Sequence, residues 1–268
     1  MNKIDIYCLG LFNEDLNKIL SLGYKPVGLG EENFDKNWLR DNTGDNISHK
    51  NKYYGECTFH YWFWKNKLNE IEDNTWIGFC AYRRFWSQSK QLKKLSSKKD
   101  FLSKIPVEWK DCDVILGNDI CMDGWTIMKL IKHGYKSLFL NPKFLITNKR
   151  NLKFHFDSFH GYGNLDKAIN LLDNDNKYDF KKFMNDNNCY NRGNMFICNS
   201  KKILAEYYES LFPWLEKCES IFGFNNTSYG ETRIYGFLAE RYMSYWFNKY
   251  SNTLVWPIVF FNINSNQI

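Results

Sequence analysis

The sequence lacks the cysteine spacing of a zinc protein or a disulfide-rich scaffold. None of its eight cysteines forms a C-x-x-C pair, and several lie inside apolar runs. Zinc ribbons and small secreted domains depend on closely and regularly spaced cysteines. We therefore expect buried free thiols in a reducing cytosol rather than a zinc site or a set of disulfides.

The sequence also lacks a hydrophobic run long enough to cross a membrane. The longest candidate, TLVWPIVFF near the C-terminus, contains a proline, whereas a membrane helix needs roughly 18 apolar residues. The first residues, MNKIDIYCLG, are too short and too charged to hold the core of a signal peptide, and they favour a first β-strand. The expected protein is soluble and cytoplasmic, with contact at the inner face of a membrane left open.

A strong excess of one charge is missing as well. The formal net charge of +6 is a mild basic excess, which favours an anionic ligand or surface without identifying it. The most basic stretch, SQSKQLKKLSSKKDFLSK at 87–104, predicts a solvated helix or a mobile loop. The alternative for this stretch is a surface that meets anionic lipid headgroups or an acceptor.

Apolar and aromatic residues, in contrast, are abundant. Hydrophobic residues make up 44% of the chain, which indicates a folded globular protein rather than a disordered one. The aromatic share of 18% is high, and aromatic-rich clefts often stack sugar rings or bases. A single ring more often fills a core, so this surplus does not by itself identify a ligand.

Strand-like and helical patterns alternate along the chain, which predicts an α/β fold with a central sheet flanked by helices. Because there is no internal repeat and no long linker, residues 1–268 are expected to form one domain. The first helix should be capped by Asn13 and ended by Gly23. The predicted strands are IDIYCLGLF, TWIGFCAYR, CDVILG, NMFICN and TLVWPIVFF; the predicted helices span about 14–22, 54–67, 201–221 and 235–247, with an exposed connection around 173–188.

One apolar strand runs directly into two arginines, in NTWIGFCAYRRFW at 74–86. Ligands of open α/β sheets bind at the carboxyl ends of the strands. Guanidinium groups form forked hydrogen bonds with phosphate oxygens and stay charged at working pH. Arg83 and Arg84 are therefore candidates for binding a phosphate group, and the structural alternative is a buried ion pair with a carboxylate.

Polar turn residues lie upstream of that strand, in DNTGDN at 41–46. Asp41, Asn42, Asp45 and Asn46 surround Gly44, a composition that suits tight turns with hydrogen bonds from side chain to backbone. A turn alone explains the motif. The alternative is a loop that presents backbone amides and carboxamides to a polar ligand.

No pair of carboxylates stands where a metal site would need it. Many nucleotide-sugar transferases use a D-x-D pair with Mn²⁺ or Mg²⁺ at the end of a strand. Here DCD at 111–113 precedes its apolar run, and DND at 173–175 is typical of a helix end and loop, so neither is expected to bind a metal. Glu56 and His60 share a helix face, but without a third ligand nearby hydrogen bonding is favoured over metal binding.

Five segments, in order, resemble the family called domain of unknown function 4422. They span nearly the whole chain: PVGLG (26–30), DNTGDNIS.KN.YYGECT..YWFWKN (41–66), IGFCAYRRFW (77–86), NRGNMFICNSKKILAEYYESLFPWL (191–215) and R.YGFLAERYMSYW (233–246). The resemblance implies a GT-A-like, Rossmann-like mixed sheet and a glycosyltransferase of capsular polysaccharide, exopolysaccharide or O-antigen gene clusters. The family usually has His-Tyr-Arg-Arg where this chain has Ala81, Tyr82, Arg83 and Arg84, so any donor contact or proton transfer by that histidine is missing here.

The resemblance also implies a reaction. A hexose would move from a nucleotide diphosphate sugar, first of all a UDP-sugar, to a growing glycan or lipid-linked glycan. Arg83 and Arg84 would stabilise the departing diphosphate, and a divalent Mg²⁺ or Mn²⁺ ion stays open although no well-placed D-x-D supports it. Expected donor contacts are Tyr82, Asp41, Asn42, Asp45, Asn46, Asn51 and Asn194, and Asn191 and Gly193 are candidates on the sugar and acceptor side.

The group that takes the proton from the acceptor hydroxyl stays open. Inverting transfer needs a carboxylate or a histidine, whereas retaining transfer often relies on the leaving phosphate. Glu240 is one candidate, although a structural ion pair with Arg241 explains it equally well. His160, in the predicted loop of FDSFHGYGNLD, and Asp166 are the others.

Two other classes of function remain. The missing histidine permits a non-catalytic module that binds nucleotide sugars or glycans. Basic charge with many aromatics would also fit a nucleic-acid binder, but the basic residues are scattered along the chain instead of forming one stripe, so we do not expect nucleic acid as a partner.

Overall fold

The structure, a computed structural model, describes residues 3–10, 12–92, 94–122, 138–140, 142, 150–225 and 228–263. The strands are β1 Ile4–Gly10, β2 Lys25–Gly28, β3 Leu39–Arg40, β4 Trp76–Ala81, β5 Arg84–Trp86, β6 Val114–Leu116, β7 Asp119–Cys121, β8 Cys189–Asn191, β9 Phe196–Cys198, β10 Thr253–Val255 and β11 Ile258–Phe260. The α-helices are α1 Leu16–Ser21, α2 Asn51–Tyr54, α3 Cys57–Asn66, α4 Leu152–Phe159, α5 Asn164–Ile169, α6 Asn174–Asp186, α7 Lys201–Phe222, α8 Tyr229–Thr232 and α9 Ile234–Tyr250. Short 3₁₀ helices span Asn13–Asp15, Ser48–Lys50, Leu68–Glu70, Lys98–Asp100 and Val107–Trp109. Among the described residues, no helix is both long and apolar enough to span a bilayer.

A mixed β-sheet forms the centre of the fold, as predicted. Its strand order is β10-β6-β9-β4-β1-β2-β3, and β5 joins β4 to β11 at one side. Strand β1 is parallel to both β2 and β4, and β6 is parallel to β10. Strand β9 runs antiparallel between β4 and β6. Strands β7 and β8 form a separate antiparallel pair.

Both faces of this sheet are covered, and two hydrophobic cores result. Tyr7 and Leu9 of β1 join a core built with α3, α7 and α9. Ile6 and Cys8, the alternate residues of the same strand, join a second core that includes α1 and Trp109. Side chains of a strand alternate between its faces, so a strand covered on both sides is apolar throughout. This explains the continuous apolar runs in the sequence.

The five predicted strand segments are present, and the proline divides the last of them into β10 and β11. The helices predicted at 201–221 and 235–247 are α7 and α9. The helix predicted at 54–67 is interrupted by Gly55, whose φ of +57° belongs to the left-handed region that glycine tolerates. The predicted helix therefore corresponds to α3, which begins at Cys57, and only its first residue, Tyr54, belongs to α2.

Two local predictions were wrong. Asn13 does not cap the first helix, because its side chain instead bonds to Asn33 O and Asp35 N across a loop. The exposed connection expected at 173–188 is mostly α6. Phe180 and Met184, four residues apart, bury one face of this polar helix in the core.

The prediction of free thiols throughout was also wrong for two cysteines. Cys121 and Cys189 form a disulfide between β7 and β8. The two residues are direct partners in the register of this antiparallel pair, a proximity that their separation of 68 residues hides in the sequence. The other six cysteines are free thiols, and all but Cys112 are buried.

Candidate functional site

The candidate site lies at the edge of the sheet where the parallel strands β1, β2 and β4 end. Strand β9 runs the other way, with Ile77 opposite Cys198 and Gly78 opposite Ile197. The residues that precede β9, up to Met195, therefore arrive at the same edge. Open α/β sheets bind ligands at this edge.

A cavity of about 370 Å³ opens there. Its volume lies in the range of small-molecule sites, roughly 300–1,000 Å³. Leu9 at the end of β1 and Ala81 at the end of β4 contribute to its apolar wall. Among the described residues its polar wall is formed by Asn51, Glu56, Tyr82, Arg84, Arg192 and Arg233. Three arginines and one carboxylate give this wall a net positive charge, which suits an anion.

Arg84 and Arg192 have no carboxylate partner among the described residues. The guanidinium of Arg84 stacks on the Phe260 ring at 5.0 Å. Burial and then the nearby charge of Arg192 lower the pKa of Arg84. Two like charges near each other, neither in an ion pair within the described residues, favour the binding of an anion that bridges them.

The third arginine is held by a carboxylate at the cavity wall. Arg233 Nη2 lies 3.4 Å from Glu56 Oε2, and Asn194 Nδ2 donates to Glu56 Oε1 at 2.9 Å. The Glu56 side chain keeps 26% of its surface exposed. Each carboxylate oxygen can accept two hydrogen bonds, so each retains a free position for a ligand. A Cβ on Gly55 would come within 2.1 Å of Arg233 Nη2, which explains why glycine precedes this glutamate.

His60, one helical turn after Glu56, supports the cavity from behind. Its Nε2 lies 3.0 Å from Asn194 O and its Nδ1 lies 3.0 Å from the Tyr208 hydroxyl. A carbonyl oxygen only accepts, so Nε2 carries the proton and Nδ1 accepts from Tyr208. Glu56 and His60 thus hold Asn194 from two sides. The sequence favoured hydrogen bonds between the two residues or to ligand hydroxyls; in the structure each residue bonds to Asn194 instead, and bonds to a ligand stay a prediction.

The fold should lose stability in acid through His60. Burial lowers its pKa to about 4, so below the ordinary value near 6.5 the unfolded chain binds a proton that the folded chain does not. The free energy of unfolding should therefore fall by about 2 kcal/mol between pH 8 and pH 5 through this residue alone. Urea unfolding of the parent and His60→Gln across this pH range measures the difference. The exposed His49→Gln is the control, and equal pH slopes for parent and His60→Gln would contradict the prediction.

The two predicted arginines occupy different places. Arg84 begins β5 and lines the cavity, whereas the exposed Arg83 lies in the turn before it, with its guanidinium 4.8 Å from the ring centre of Tyr82. Tyr82 lines the cavity, as does Ala81. Ala81, which stands where the family that this sequence resembles usually has histidine, is therefore part of the cavity wall.

None of the DNTGDN residues lines the cavity. Asp41 is fully buried, where its carboxylate accepts from Gly30 N at 2.8 Å and from the Thr58 hydroxyl at 2.6 Å. Burial raises its pKa, and those two hydrogen bonds act in the opposite direction. Asp45 accepts from the Tyr61 hydroxyl, Asn46 accepts from Ser48 N, and Asn42 is exposed. The geometry favours the turn interpretation over a ligand-presenting loop.

Asn51 is the predicted donor contact of this region that does line the cavity. Its side-chain amide donates to Gly55 O at 2.9 Å and to Thr58 Oγ1 at 3.0 Å. These bonds connect the first residue of α2 to the start of α3. Asn51 therefore fixes the backbone from which Glu56 projects.

Glu240 and His160 lie behind the cavity rather than on its described wall. Glu240 is buried, pairs with Arg241 and accepts from Gly193 N. Burial raises the pKa of this carboxyl, and Arg241 opposes the shift. The geometry thus favours the structural ion pair with Arg241 over catalysis by Glu240. In this role Glu240 fixes the backbone beside Arg192. Its role in catalysis stays a prediction.

His160 lies in the connection between α4 and α5, as expected, but its side chain is buried. His160 is the C-terminal cap of α4, buried, with its ring 4.1 Å from that of Phe237 and its Nδ1 3.1 Å from Gly230 O. Burial first, then Arg241 and His155, lower its pKa well below the usual range. Asp166 pairs with Lys153 and does not line the cavity.

The segment before β9 meets the cavity through Gly193, with φ +84°, and Arg192. Asn194 supports the wall through Glu56. Asn191 points elsewhere, because its amide donates to Gly117 O and Asp119 Oδ1. Arg192 and Arg233 were missed as site residues, although both stand inside segments that carry the family resemblance.

Neither D-x-D string lines the cavity. Asp113 directly precedes β6 and accepts from Asn252 N, as expected of a residue that starts a strand. Asp173 precedes α6 and pairs with Lys217. Within the part of the chain that the structure describes, no three His, Cys, Asp or Glu side chains group as a metal site requires.

Comparisons with known proteins agree with this description. The profile of the family "Domain of unknown function (DUF4422)" matches residues 15–252. A search of curated proteins by sequence gave no match. A solved structure described as the apo form of WbbM, a bifunctional glycosyltransferase, is similar with a TM-score of 0.66 and 22% identity over 97% of this chain. The match covers 45% of that protein's length. At this identity the similarity establishes a shared fold.

Proposed function

The chain belongs to the DUF4422 family, and from this premise we propose that it is a glycosyltransferase that moves a hexose from a nucleotide diphosphate sugar to a growing glycan. One observation carries the proposal. Arg84 and Arg192 reach a ligand-sized cavity at the carboxyl edge of the sheet, and neither has a carboxylate partner among the described residues. A diphosphate is an anion with oxygens enough to bridge both.

In this proposal the arginines stabilise the charge that develops on the diphosphate as the glycosidic bond breaks. Fixed positive groups contribute most where charge appears only in the transition state. Tyr82 positions the donor from the end of β4, and Asn51 positions it from the start of α2. The donor we propose is a UDP-sugar, and the chemistry of the arginines leaves open whether a divalent ion assists.

Glu56 is our proposal for the proton acceptor. It is the carboxylate on the described wall of the cavity, and Ala81 contributes no basic group. The acceptor hydroxyl oxygen would bond to the anomeric carbon while the bond from that carbon to the diphosphate oxygen breaks. The hydroxyl proton would pass to Glu56 and the bonding electron pair would leave with the diphosphate. Asn194 and Arg233 hold the carboxylate in place for this step.

The wider setting is part of the same proposal. Residues 1–268 act as one glycosyltransferase domain, and the acceptor is a glycan or a lipid-linked glycan of surface polysaccharide synthesis, such as capsule or O-antigen. Such a reaction would take place in the cytoplasm or at the inner face of the membrane. The family membership and the shared fold support this setting.

The experiment that tests the proposal is a donor panel. Thermal shift and slow hydrolysis are measured with UDP-, GDP-, CMP- and dTDP-sugars, each with Mg²⁺, with Mn²⁺ and with EDTA. We expect one donor to raise Tm and to be hydrolysed, and the EDTA arm shows whether an ion takes part. Binding without turnover or transfer would leave a nucleotide-sugar-binding module, and no binding to any donor would overturn the proposal.

A further inference from the structure

One loop carries nearly all the net charge of the protein. Residues 88–104, here called the basic loop, contain six lysines and one aspartate, which gives a formal charge of +5. The whole chain carries +6, so the other residues contribute +1. Basic residues are scattered along the chain, but elsewhere acidic residues balance them. Most of the net charge of the chain is therefore concentrated in the basic loop.

The basic loop is compact because its two ends are joined. Gln88 Nε2 donates to Lys104 O, Gln88 Oε1 accepts from Ser103 N and Lys104 N, and Gln88 N donates to Asp100 O. Inside, Leu95, Phe101 and Leu102 are buried. The described part of the loop is therefore a folded unit with an apolar interior, and its described lysines are held within a small area.

The described lysines of the basic loop point to solvent without partners. Lys90, Lys94, Lys98, Lys99 and Lys104 are exposed, and no ion pair within the described residues involves any of them. Asp100 is the one acid of the loop. Its carboxylate accepts hydrogen bonds from Ser96 N and Ser97 N in the cap of the short 3₁₀ helix Lys98–Asp100. The charge of the loop is thus available to an external anionic surface.

The chemistry of the loop favours a diffuse anionic surface over a specific anion or a nucleic acid. Its cations are lysines, which act as point charges, whereas specific phosphate sites favour the forked geometry of arginine. Its aromatic ring, Phe101, is buried, whereas single-stranded nucleic acid is held by exposed aromatic rings on which bases stack. Clustered lysines are attracted to the negative surface of anionic bilayers.

We propose that the basic loop docks this protein on the surface of an anionic lipid bilayer. The loop continues directly from β5, whose first residue, Arg84, lines the cavity, and Leu102 N bonds back to Trp86 O at the end of that strand. Docking through this loop would bring the strand that carries Arg84 to the bilayer, where a lipid-linked acceptor would present its sugar. The docking itself follows from the charge of the loop and does not depend on the proposed reaction.

Vesicle sedimentation tests the docking. The full chain is mixed with vesicles of phosphatidylcholine alone or with about 30% phosphatidylglycerol, at low and at high salt. We expect binding to the anionic vesicles only, and we expect it to weaken at least tenfold between 50 and 300 mM salt, because screening shortens the reach of the lysines. Equal binding to both vesicle types, or none to either, would overturn the proposal.

A matched pair of variants separates the loop from net charge. Lys94, Lys98 and Lys99 are changed to Gln in one variant; Lys181, Lys182 and Lys202, exposed lysines on α6 and α7, are changed to Gln in the other. Both lose three charges, and only the loop variant should lose vesicle binding tenfold or more. Equal losses would show an effect of net charge alone. Loop-dependent binding to an oligothymidylate but not to vesicles would likewise refute lipid docking.

The loop variant also separates this inference from the proposed function. Hydrolysis of a soluble donor should be the same in both variants and the parent, since none of the six lysines lines the cavity. Loss of vesicle binding with donor hydrolysis intact supports docking. Failure of the donor panel would leave the vesicle result unaffected.

Discussion

Replacing Arg84 by alanine should lower donor turnover by about 10²–10³, the usual effect of removing one preorganised group that stabilises transition-state charge. Arg84 lines the cavity, is half-buried and has no carboxylate partner among the described residues. Among the described residues, no internal ion pair neutralises the charge of Arg84, so this charge is available to a ligand. Because the diphosphate gains charge as its bond breaks, the loss should fall mainly on kcat, with a smaller rise in KM.

The neighbouring Arg83 supplies the comparison. It has the same side chain one position earlier, but it is exposed, and its guanidinium lies over Tyr82 outside the described wall. We expect Arg83→Ala to lower kcat less than tenfold. Steady-state hydrolysis of the donor, with thermal unfolding of both variants to exclude misfolding, measures the difference. A larger loss from Arg83→Ala than from Arg84→Ala would contradict the assignment.

Arg84→Lys refines this result. Lysine keeps the positive charge but cannot form the two parallel hydrogen bonds of a guanidinium. If Arg84 binds the diphosphate with its fork, Arg84→Lys should stay well below the parent, closer to the alanine variant. Recovery of most of the parent rate by lysine would indicate that charge alone is needed there.

The sequence predicted those parts of the site that depend on local order. An apolar run that ends in a charged residue predicts a strand that reaches a site; β4 ends at Ala81, and Arg84, which begins β5, lines the cavity there. Arg192 and Arg233 come from segments more than 100 residues away. They reach the cavity because β9 runs antiparallel to β4 and because α9 packs near α2, neither of which follows from spacing along the chain.

Polar residues that form hydrogen bonds with internal groups were harder to interpret from the sequence. The segment around Asp41 has the composition of a ligand-binding loop. The Asp41 carboxylate, however, already accepts hydrogen bonds from Gly30 N and the Thr58 hydroxyl. His160 lies in a short connection between helices, yet its ring is buried against Phe237 and its Nδ1 lies beside Gly230 O. In both cases the sequence shows a polar side chain, and only the fold shows which internal group it serves.

Replacing Glu56 by glutamine should lower the rate of sugar transfer by 10²–10⁴ while the donor still binds, because proton transfer by a positioned side chain contributes about that factor. Glutamine keeps an oxygen that can accept from Asn194 Nδ2 but cannot take a proton. Donor Kd should change little, whereas kcat for transfer should fall. The exposed Glu216→Gln on α7, outside this cavity, is the control.

Azide distinguishes a proton acceptor from a structural residue. Azide ion attacks the anomeric carbon without losing a proton, so it needs no base. Added to Glu56→Gln with donor, it should restore release of the nucleotide diphosphate and give a glycosyl azide. It should give no such gain with Arg84→Ala, whose defect lies in the leaving group. If Glu56→Gln instead loses donor binding and azide restores nothing, Glu56 only holds Arg233 and Asn194, and the proton must pass to another group.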